Sequence, residues 1–384
     1  MMPPAPARLD PQGCRALFPV TRERAYLAAC SVGPLSTRAV AAMHAQIADQ
    51  HLDGPRHVDR RNAFAEGNVR PTLARLIGAR ASEISFLRNT TEGLNTVANG
   101  LDWRPGDNVV ISNIEYPANA LCWLNLRRRG VETRIADARA RGGRLAVDDI
   151  AALIDSRTRL VSVSLVQYSN GFRQDMAATA ALCREKGVLL NCDAVQAVGA
   201  LEIDVARLPV DFLQAGGHKW LAGPVGTGFL YCREESADRL ASHAPGPGSV
   251  GSAWTGTGSL PQFHRDGRRF EEALPNYAGL WGLNAAAETL LEIGLPRIEA
   301  HVLGLSERMA DGALRKGYRL ASPAGKGERS GIAAFRHPSL PSAAIAARLE
   351  EAGIDVTDCN GALRAGAHVY NTAEDVDRML DALP

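Results

Sequence analysis

The chain has 384 residues, 46% of them hydrophobic and 22% charged, with a formal net charge of +1. That length supports a large core divided among two or three domains, and the interspersed charges exclude a basic nucleic-acid stripe or an acidic solvating tail. The opening MMPPAPARLDPQG lacks the apolar core of a signal peptide, no later run reaches membrane-spanning length, and seven scattered cysteines show no zinc spacing, so a cytoplasmic protein without a structural metal is expected. In chain order, the apolar runs EISFLRN (83–89), NVVISN (108–113), VETRIAD (131–137), RLVSVSLVQYS (159–169), GVLLNCD (187–193), VDFLQAG (210–216) and GTGFLYC (226–232) predict seven strands. Helix-length segments at 91–101, 117–129, 147–155 and 175–186 separate several of them. That alternation predicts a mostly parallel sheet with helices on both faces. The last two strands leave no room for a helix between them, so one side of the sheet is expected to turn antiparallel.

Beyond Cys232 the texture changes. APGPGSVGSAWTGTGSLPQ (244–262) is a long Gly/Pro/Ser-rich loop, followed by the helical pattern RRFEEALPNYAGLWGLNAAAETLLEIG. From about residue 295 the pattern becomes helix, short strands and a last helix near TAEDVDRMLDALP. The expected fold class is α/β: a large domain (24–292) with a mixed, mostly parallel seven-stranded sheet, and a small α+β C-terminal domain (293–384). Residues 1–23 are expected to pack on the small domain.

In an open parallel sheet, ligands bind beyond the carboxyl ends of the strands. Five polar clusters fall there: NTTEG, EYPAN, QYSNG, CDAVQ and GGHK. Singly, each has a plain structural explanation. Asp193 reads as a helix N-cap, Thr90 or Thr91 as another, His218 as a satisfied core histidine and Lys219 as a solvated surface residue. Together they match pyridoxal 5'-phosphate (PLP). A lysine can hold its aldehyde as an imine, which removes the cost of a buried ammonium. A buried carboxylate keeps its ring nitrogen protonated, an attraction of about 4 kcal/mol at about 4 Å and an effective dielectric near 20. A helix N-terminus suits its phosphate, and an aromatic face suits its ring. On this basis Lys219 carries the imine and Asp193 meets the ring nitrogen. Thr91 and His218 meet the phosphate, and Tyr116 covers the ring.

These residues resemble the class V aminotransferase-fold PLP enzymes, which include cysteine desulfurases and isopenicillin N epimerase-like proteins. The resemblance runs from about residue 24 to the C-terminus. It is carried most specifically by NCDAVQAVGALEIDVARLPVDFLQAGGHKWLAGPVGTGFLY, with support from YSNGFRQD and ALRAGAHVYNTAEDVDRML. It implies a fold-type I homodimer with active sites near the subunit interface. It also implies a Schiff base at Lys219, Asp193 at the ring nitrogen, and Gln196 and Asn170 at the ring hydroxyl. Thr91 and His218 would hold the phosphate, joined by the Glu92 backbone, with Tyr116 in the stacking position. Arg364, assisted by Asn170, would grip the substrate's α-carboxylate, a task suited to a planar fork.

Three departures from the family pattern stand out. Gly216 replaces a phosphate-binding serine. EEALPN puts Leu274 where a threonine would reach the partner's phosphate, leaving Thr255 and Thr257 of the 246–258 loop as substitute donors. The desulfurase catalytic loop is replaced by the short VTDCNGALR, which holds Cys359. The third departure places amino transfer or epimerisation of a small α-amino acid ahead of desulfuration or β-elimination. His51, His57 and Arg173 are expected near the entrance. A nucleotide-binding reading of GPVGTG (223–228) lacks the strand–glycine–helix context. A non-catalytic dimeric relative would not need Lys219, Asp193, Gln196 and Arg364 together.

Overall fold

The structure is a computed structural model that describes residues 11–251 and 262–384. Seven strands form the central sheet: β1 (Ile84–Leu87), β2 (Asn108–Ser112), β3 (Glu132–Ala136), β4 (Thr158–Ser164), β5 (Leu189–Asp193), β6 (Phe212–Gly216) and β7 (Gly228–Cys232). Their order is β1-β7-β6-β5-β4-β2-β3. All neighbours run parallel except β7, which is antiparallel to both β1 and β6. The antiparallel strand is therefore second from one edge, as the short β6–β7 connection requires. β1, β2, β5, β6 and β7 are buried at every position, which is why they read as unbroken apolar runs. β3 is the opposite edge. It is partly exposed and carries Glu132 and Arg134, charges that discourage further strand pairing.

The helices that matter to the site are α1 (Thr37–Asp53), α2 (Thr90–Gly100), α3 (Ala118–Leu124), α4 (Met176–Lys186) and α5 (Tyr277–Ile293). α2 begins one residue earlier than its threonines suggest. The cap is Asn89, whose side-chain oxygen accepts from the Glu92 N–H at 2.9 Å, not Thr90 or Thr91. α4 is capped in the same way by Asp175.

The C-terminal part has α6 (Leu295–Arg315), β8 (Arg319–Leu320), β9 (Ile332–Arg336), α7 (Ser342–Glu351), β10 (Thr357–Cys359), β11 (Ala362–Gly366) and α8 (Ala373–Ala382). Its antiparallel sheet has the order β10-β11-β9-β8. Near the start of the described chain, Arg15 pairs with Asp375 of α8 at 2.6 Å and donates to the Tyr370 backbone oxygen at 2.7 Å. Among the described residues no helix is long and apolar enough to cross a membrane.

Chain direction across the large sheet reverses between β2 and β4. β3 follows on one side, while β5 and β6 follow on the other. A crevice is expected at such a switch point, outside the carboxyl ends of the strands.

Candidate active site

At that switch point lies a cavity of about 500 Å³, lined by residues from the ends of β2, β4, β5 and β6, the first turn of α2, and the β10–β11 hairpin. Lys219, Asp193, His218, Thr91, Tyr116 and Arg364 all line it. Six of the nine expected site residues are thus brought together.

Asp193 closes β5 and is 2% exposed. Its Oδ1 accepts from the Val195 N–H at 3.0 Å. Burial pushes its carboxyl up to about 6; the nearby Glu115 charge adds to the rise and Lys219 opposes it. Among the described residues the carboxylate forms no ion pair, although its burial calls for a close cationic partner. Lys219 follows β6. Its amine lies 5.6 Å from the centre of the Tyr116 ring, and burial lowers its affinity for a proton while Asp193 works against that fall. Tyr116 is 46% exposed, and its ring meets that of Tyr168 edge-on at 5.1 Å.

Gly216, at the end of β6, shapes the space beside α2. A Cβ there would sit 3.0 Å from Cε1 and Nδ1 of His218 and 3.1 Å from the Thr90 hydroxyl. The bare backbone lets the imidazole and the hydroxyl converge. Thr90 Oγ1 is buried with no hydrogen-bond partner among the described residues, and an unmade buried hydrogen bond points to a missing ligand. The Asn89 cap uses the Glu92 N–H, so the backbone contribution expected of Glu92 is already taken. Among the described residues, the first-turn N–H groups of α2 left without a partner are those of Thr90 and Thr91. An oxyanion fits this corner, with a hydroxyl and a helix N-terminus ready to donate to it.

Arg364, on β11, is 7% exposed and pairs with no carboxylate among the described residues. Its Nε donates to Thr357 Oγ1 at 3.1 Å and its Nη1 to the Tyr168 backbone oxygen at 2.7 Å, which leaves Nη2 without a partner among the described residues. The alternative of a surface salt bridge is excluded by its burial. Cys359 also lines the cavity. It ends β10 and pairs with Ala362 across a two-residue turn, Asn360-Gly361, in which both residues have positive φ (52° and 69°). An Asn-Gly turn of this kind makes a tight, well-defined hairpin.

Asn170 and Gln196 are not among the cavity-lining residues. The Asn170 amide is spent locally, donating to Gly143 O at 2.9 Å and accepting from the Phe172 N–H at 3.1 Å. Tyr168, two residues earlier in the same YSNG stretch, lines the cavity in its place. Gln196 donates to Cys30 O at 2.9 Å and accepts from Trp220 Nε1 at 2.8 Å, leaving one amide hydrogen uncommitted. Arg173 pairs with Glu299 at 2.7 Å beside a separate cavity of about 840 Å³. His57 pairs with Asp53 at 3.2 Å, and neither it nor His51 lines the site. Thr255 and Thr257 fall outside the described residues, and Leu274 is 70% exposed. Tyr168 and Thr90 are cavity residues that the sequence did not single out for ligand contact. Tyr168 was open to discovery by the logic that found Tyr116, an aromatic just past a central strand.

The aminotransferase class-V family model matches residues 36–379. A probable cysteine desulfurase of Methanothermobacter thermautotrophicus is 31% identical over 386 residues, covering 95% of each chain. The apo structure of a cysteine desulfurase from Thermococcus onnurineus NA1 superposes with a TM-score of 0.87 at 28% identity, covering 98% of each chain. The cystine C–S lyase C-DES, in complex with its reaction product cysteine persulfide, gives 0.87 at 26% identity over 95% of this chain and 98% of its own. A lysine-to-alanine variant of C-DES holds glycine covalently linked to its PLP cofactor. Matched in sequence and in fold along nearly its whole length, the chain belongs to the aminotransferase class-V family as a cysteine desulfurase-like, PLP-dependent enzyme.

Proposed function

We propose that this enzyme breaks the Cβ–S bond of a cysteine-type α-amino acid by elimination, with Lys219 as its imine-forming lysine and acid–base group. The cavity suits PLP at each handle. Asp193 is the anionic partner for the ring nitrogen, Thr90, Thr91 and His218 surround the phosphate corner, and Tyr116 offers a ring face. When bound, the cofactor supplies an aldehyde that condenses with an amine and a protonated ring that withdraws electrons from Cα.

The chain's own residues supply the rest. Arg364 meets the α-carboxylate with its uncommitted Nη2, while its other nitrogens are held by Thr357 and Tyr168. Lys219, whose burial lowers its affinity for a proton, takes the proton from Cα and, as general acid, delivers a proton to the departing sulfur. Loss of that proton drives sulfur from Cβ.

Sulfur chemistry replaces amino transfer or epimerisation as the leading reading. The relatives matched over nearly the whole chain are named cysteine desulfurases, and C-DES is a cystine C–S lyase. The observation that carries elimination is Cys359, a thiol in the same cavity but pinned to a two-residue hairpin. A desulfurase must bring a thiolate to the substrate's sulfur and carry sulfur away, whereas elimination asks nothing of a thiol. The second reading, desulfuration, is favoured by the presence of that thiol beside Lys219. Product analysis with L-cysteine and L-cystine separates them. Elimination yields pyruvate, ammonia and the sulfur fragment; desulfuration yields alanine. Alanine as the main product, or a D-isomer or half-transamination product without sulfur release, would sink the proposal.

A further inference from the structure

Directly before Tyr116 in the chain is a buried acid that no catalytic role requires. Glu115 lies between β2 and α3 and is 8% exposed. Five neutral groups donate to it: Ser112 Oγ at 2.9 Å, Asn119 Nδ2 at 2.9 Å, Gln167 Nε2 at 2.7 Å, and the N–H and hydroxyl of Ser164 at 3.1 and 2.5 Å. A carboxylate buried without a cation survives only if its lone pairs are met by hydrogen bonds, and these are met from two stretches of chain, 112–119 and 164–167.

The orientation of the donors is not arbitrary. Asn119 Oδ1 accepts from Trp123 Nε1 at 3.0 Å and from Ser162 Oγ at 2.6 Å, so its NH₂ is left to face Glu115. Asn191 in turn donates to Ser162 Oγ at 2.9 Å, and Gln214 donates to Asn191 Oδ1 at 2.7 Å. One directed chain of hydrogen bonds therefore runs from β6 through β5 and β4 into the Glu115 carboxylate. β5 carries Asp193 and β6 leads to Lys219.

We propose that Glu115 is a positioning residue: its carboxylate gathers the ends of β2 and β4 and the first turn of α3, and so fixes Tyr116 over Lys219. The inference rests on reading the cavity as a PLP site, since only there does the placement of the Tyr116 ring have a consequence. Its negative charge also acts on Asp193. A glutamine in its place has a single acceptor oxygen, and its NH₂ would confront the NH₂ of Asn119 or Gln167. The 113–119 segment must then shift.

The test compares Glu115→Gln, Tyr116→Ala, the double variant and Ser164→Ala. Two readouts apply besides turnover: visible circular dichroism of the PLP-loaded protein, and amide hydrogen exchange of residues 113–119 in the cofactor-free protein. Expected for Glu115→Gln are at least tenfold faster exchange in that segment, loss of half or more of the visible dichroism, and a fall in kcat larger than any rise in KM. The double variant should be no worse than Tyr116→Ala, because both act through one ring. Ser164→Ala, which removes one donor and leaves the carboxylate, should move both readouts the same way to a smaller extent, and it carries the test if Glu115→Gln does not fold. Wild-type exchange and dichroism in Glu115→Gln, or in Ser164→Ala where the first variant is unfolded, overturns the inference, as does a strictly additive double variant. Absence of visible dichroism in the loaded wild type would instead overturn the PLP reading beneath it.

Discussion

Arg364 Nη1 donates to the backbone oxygen of Tyr168 at 2.7 Å, a bond that joins β11 of the C-terminal sheet to the chain just past the end of β4 in the large one. With Nε held by Thr357 at 3.1 Å, the guanidinium is oriented before any substrate arrives. Hydrogen bonds to charged groups contribute about 1.5–3 kcal/mol. Arg364→Ala is therefore expected to raise KM for an α-amino acid roughly tenfold to a hundredfold. Arg364→Lys should recover little, because a point charge cannot replace the held fork. A decarboxylated analogue such as cysteamine should be bound equally by wild type and Arg364→Ala. An unchanged ratio between the amino acid and its analogue would remove Arg364 from carboxylate recognition.

Asp193 makes the stability of the cofactor-free protein depend on pH. Burial lifts its carboxyl from 3.8 to about 6. A raised folded value means the neutral form is favoured in the fold, so this group's contribution is fully present below 3.8 and is lost as pH rises through about 6. The gap corresponds to about 3 kcal/mol. Asp193→Asn keeps the bond from Val195 and removes the charge. In denaturant titrations of the apoprotein it should match wild type near pH 4 and exceed it by up to about 3 kcal/mol at pH 8. Added PLP should reverse the order at pH 8, because only the carboxylate meets a protonated ring nitrogen. A variant less stable than wild type at pH 8 without cofactor would refute the assignment.

Thr90 offers a related crossover. Its buried hydroxyl has no partner among the described residues, and such a group costs about 1–3 kcal/mol. Thr90→Val has the same shape and lacks the hydroxyl. Its apoprotein should melt at or above the wild-type temperature, while its preference for pyridoxal phosphate over pyridoxal should fall several-fold. Equal losses in both forms would mean that the hydroxyl serves the fold and not an oxyanion.

Much of this site was legible because strands buried on both faces announce themselves as apolar runs, and a polar residue ending such a run needs a reason. That logic reached Asp193, Lys219 and Tyr116. It failed where a shift of one or two residues decides the outcome. Asn89 and not Thr90 caps α2, and Tyr168 and not Asn170 faces the cavity, because periodicity does not set register beyond the end of a strand. It failed again for tertiary pairings. The tie of Arg173 to Glu299 and of Gln196 to Trp220 and Cys30 joins segments with no local signal of contact. Glu115 was hidden for the same reason, since Ser164 and Gln167 lie 49 and 52 residues away in the chain. An acid in a loop ordinarily reads as solvated.

Cys359 decides between elimination and sulfur transfer. The hairpin around it is braced on both sides: Asn360 donates to the Tyr168 hydroxyl at 3.2 Å, and Arg336 donates to the backbone oxygens of Asn360 and Gly361 at 3.3 and 3.2 Å. Burial pushes the thiol up from its ordinary value, with Arg364 and Lys219 only partly opposing. The thiolate, which is the reactive form, is therefore scarce at neutral pH. Iodoacetamide should modify Cys359 more slowly than free cysteine at pH 7, with a rate that climbs as pH rises past the ordinary thiol range. It should still react before Cys14, Cys122 and Cys183, whose thiols are deeply buried and pushed up to about 12. Cys359→Ala should then release pyruvate from cystine within about threefold of the wild-type rate, because elimination draws its proton transfers from Lys219 and its leaving group from the substrate. A loss of a hundredfold or more, shared by Cys359→Ser, would make the thiol a nucleophile and return the enzyme to the desulfurases.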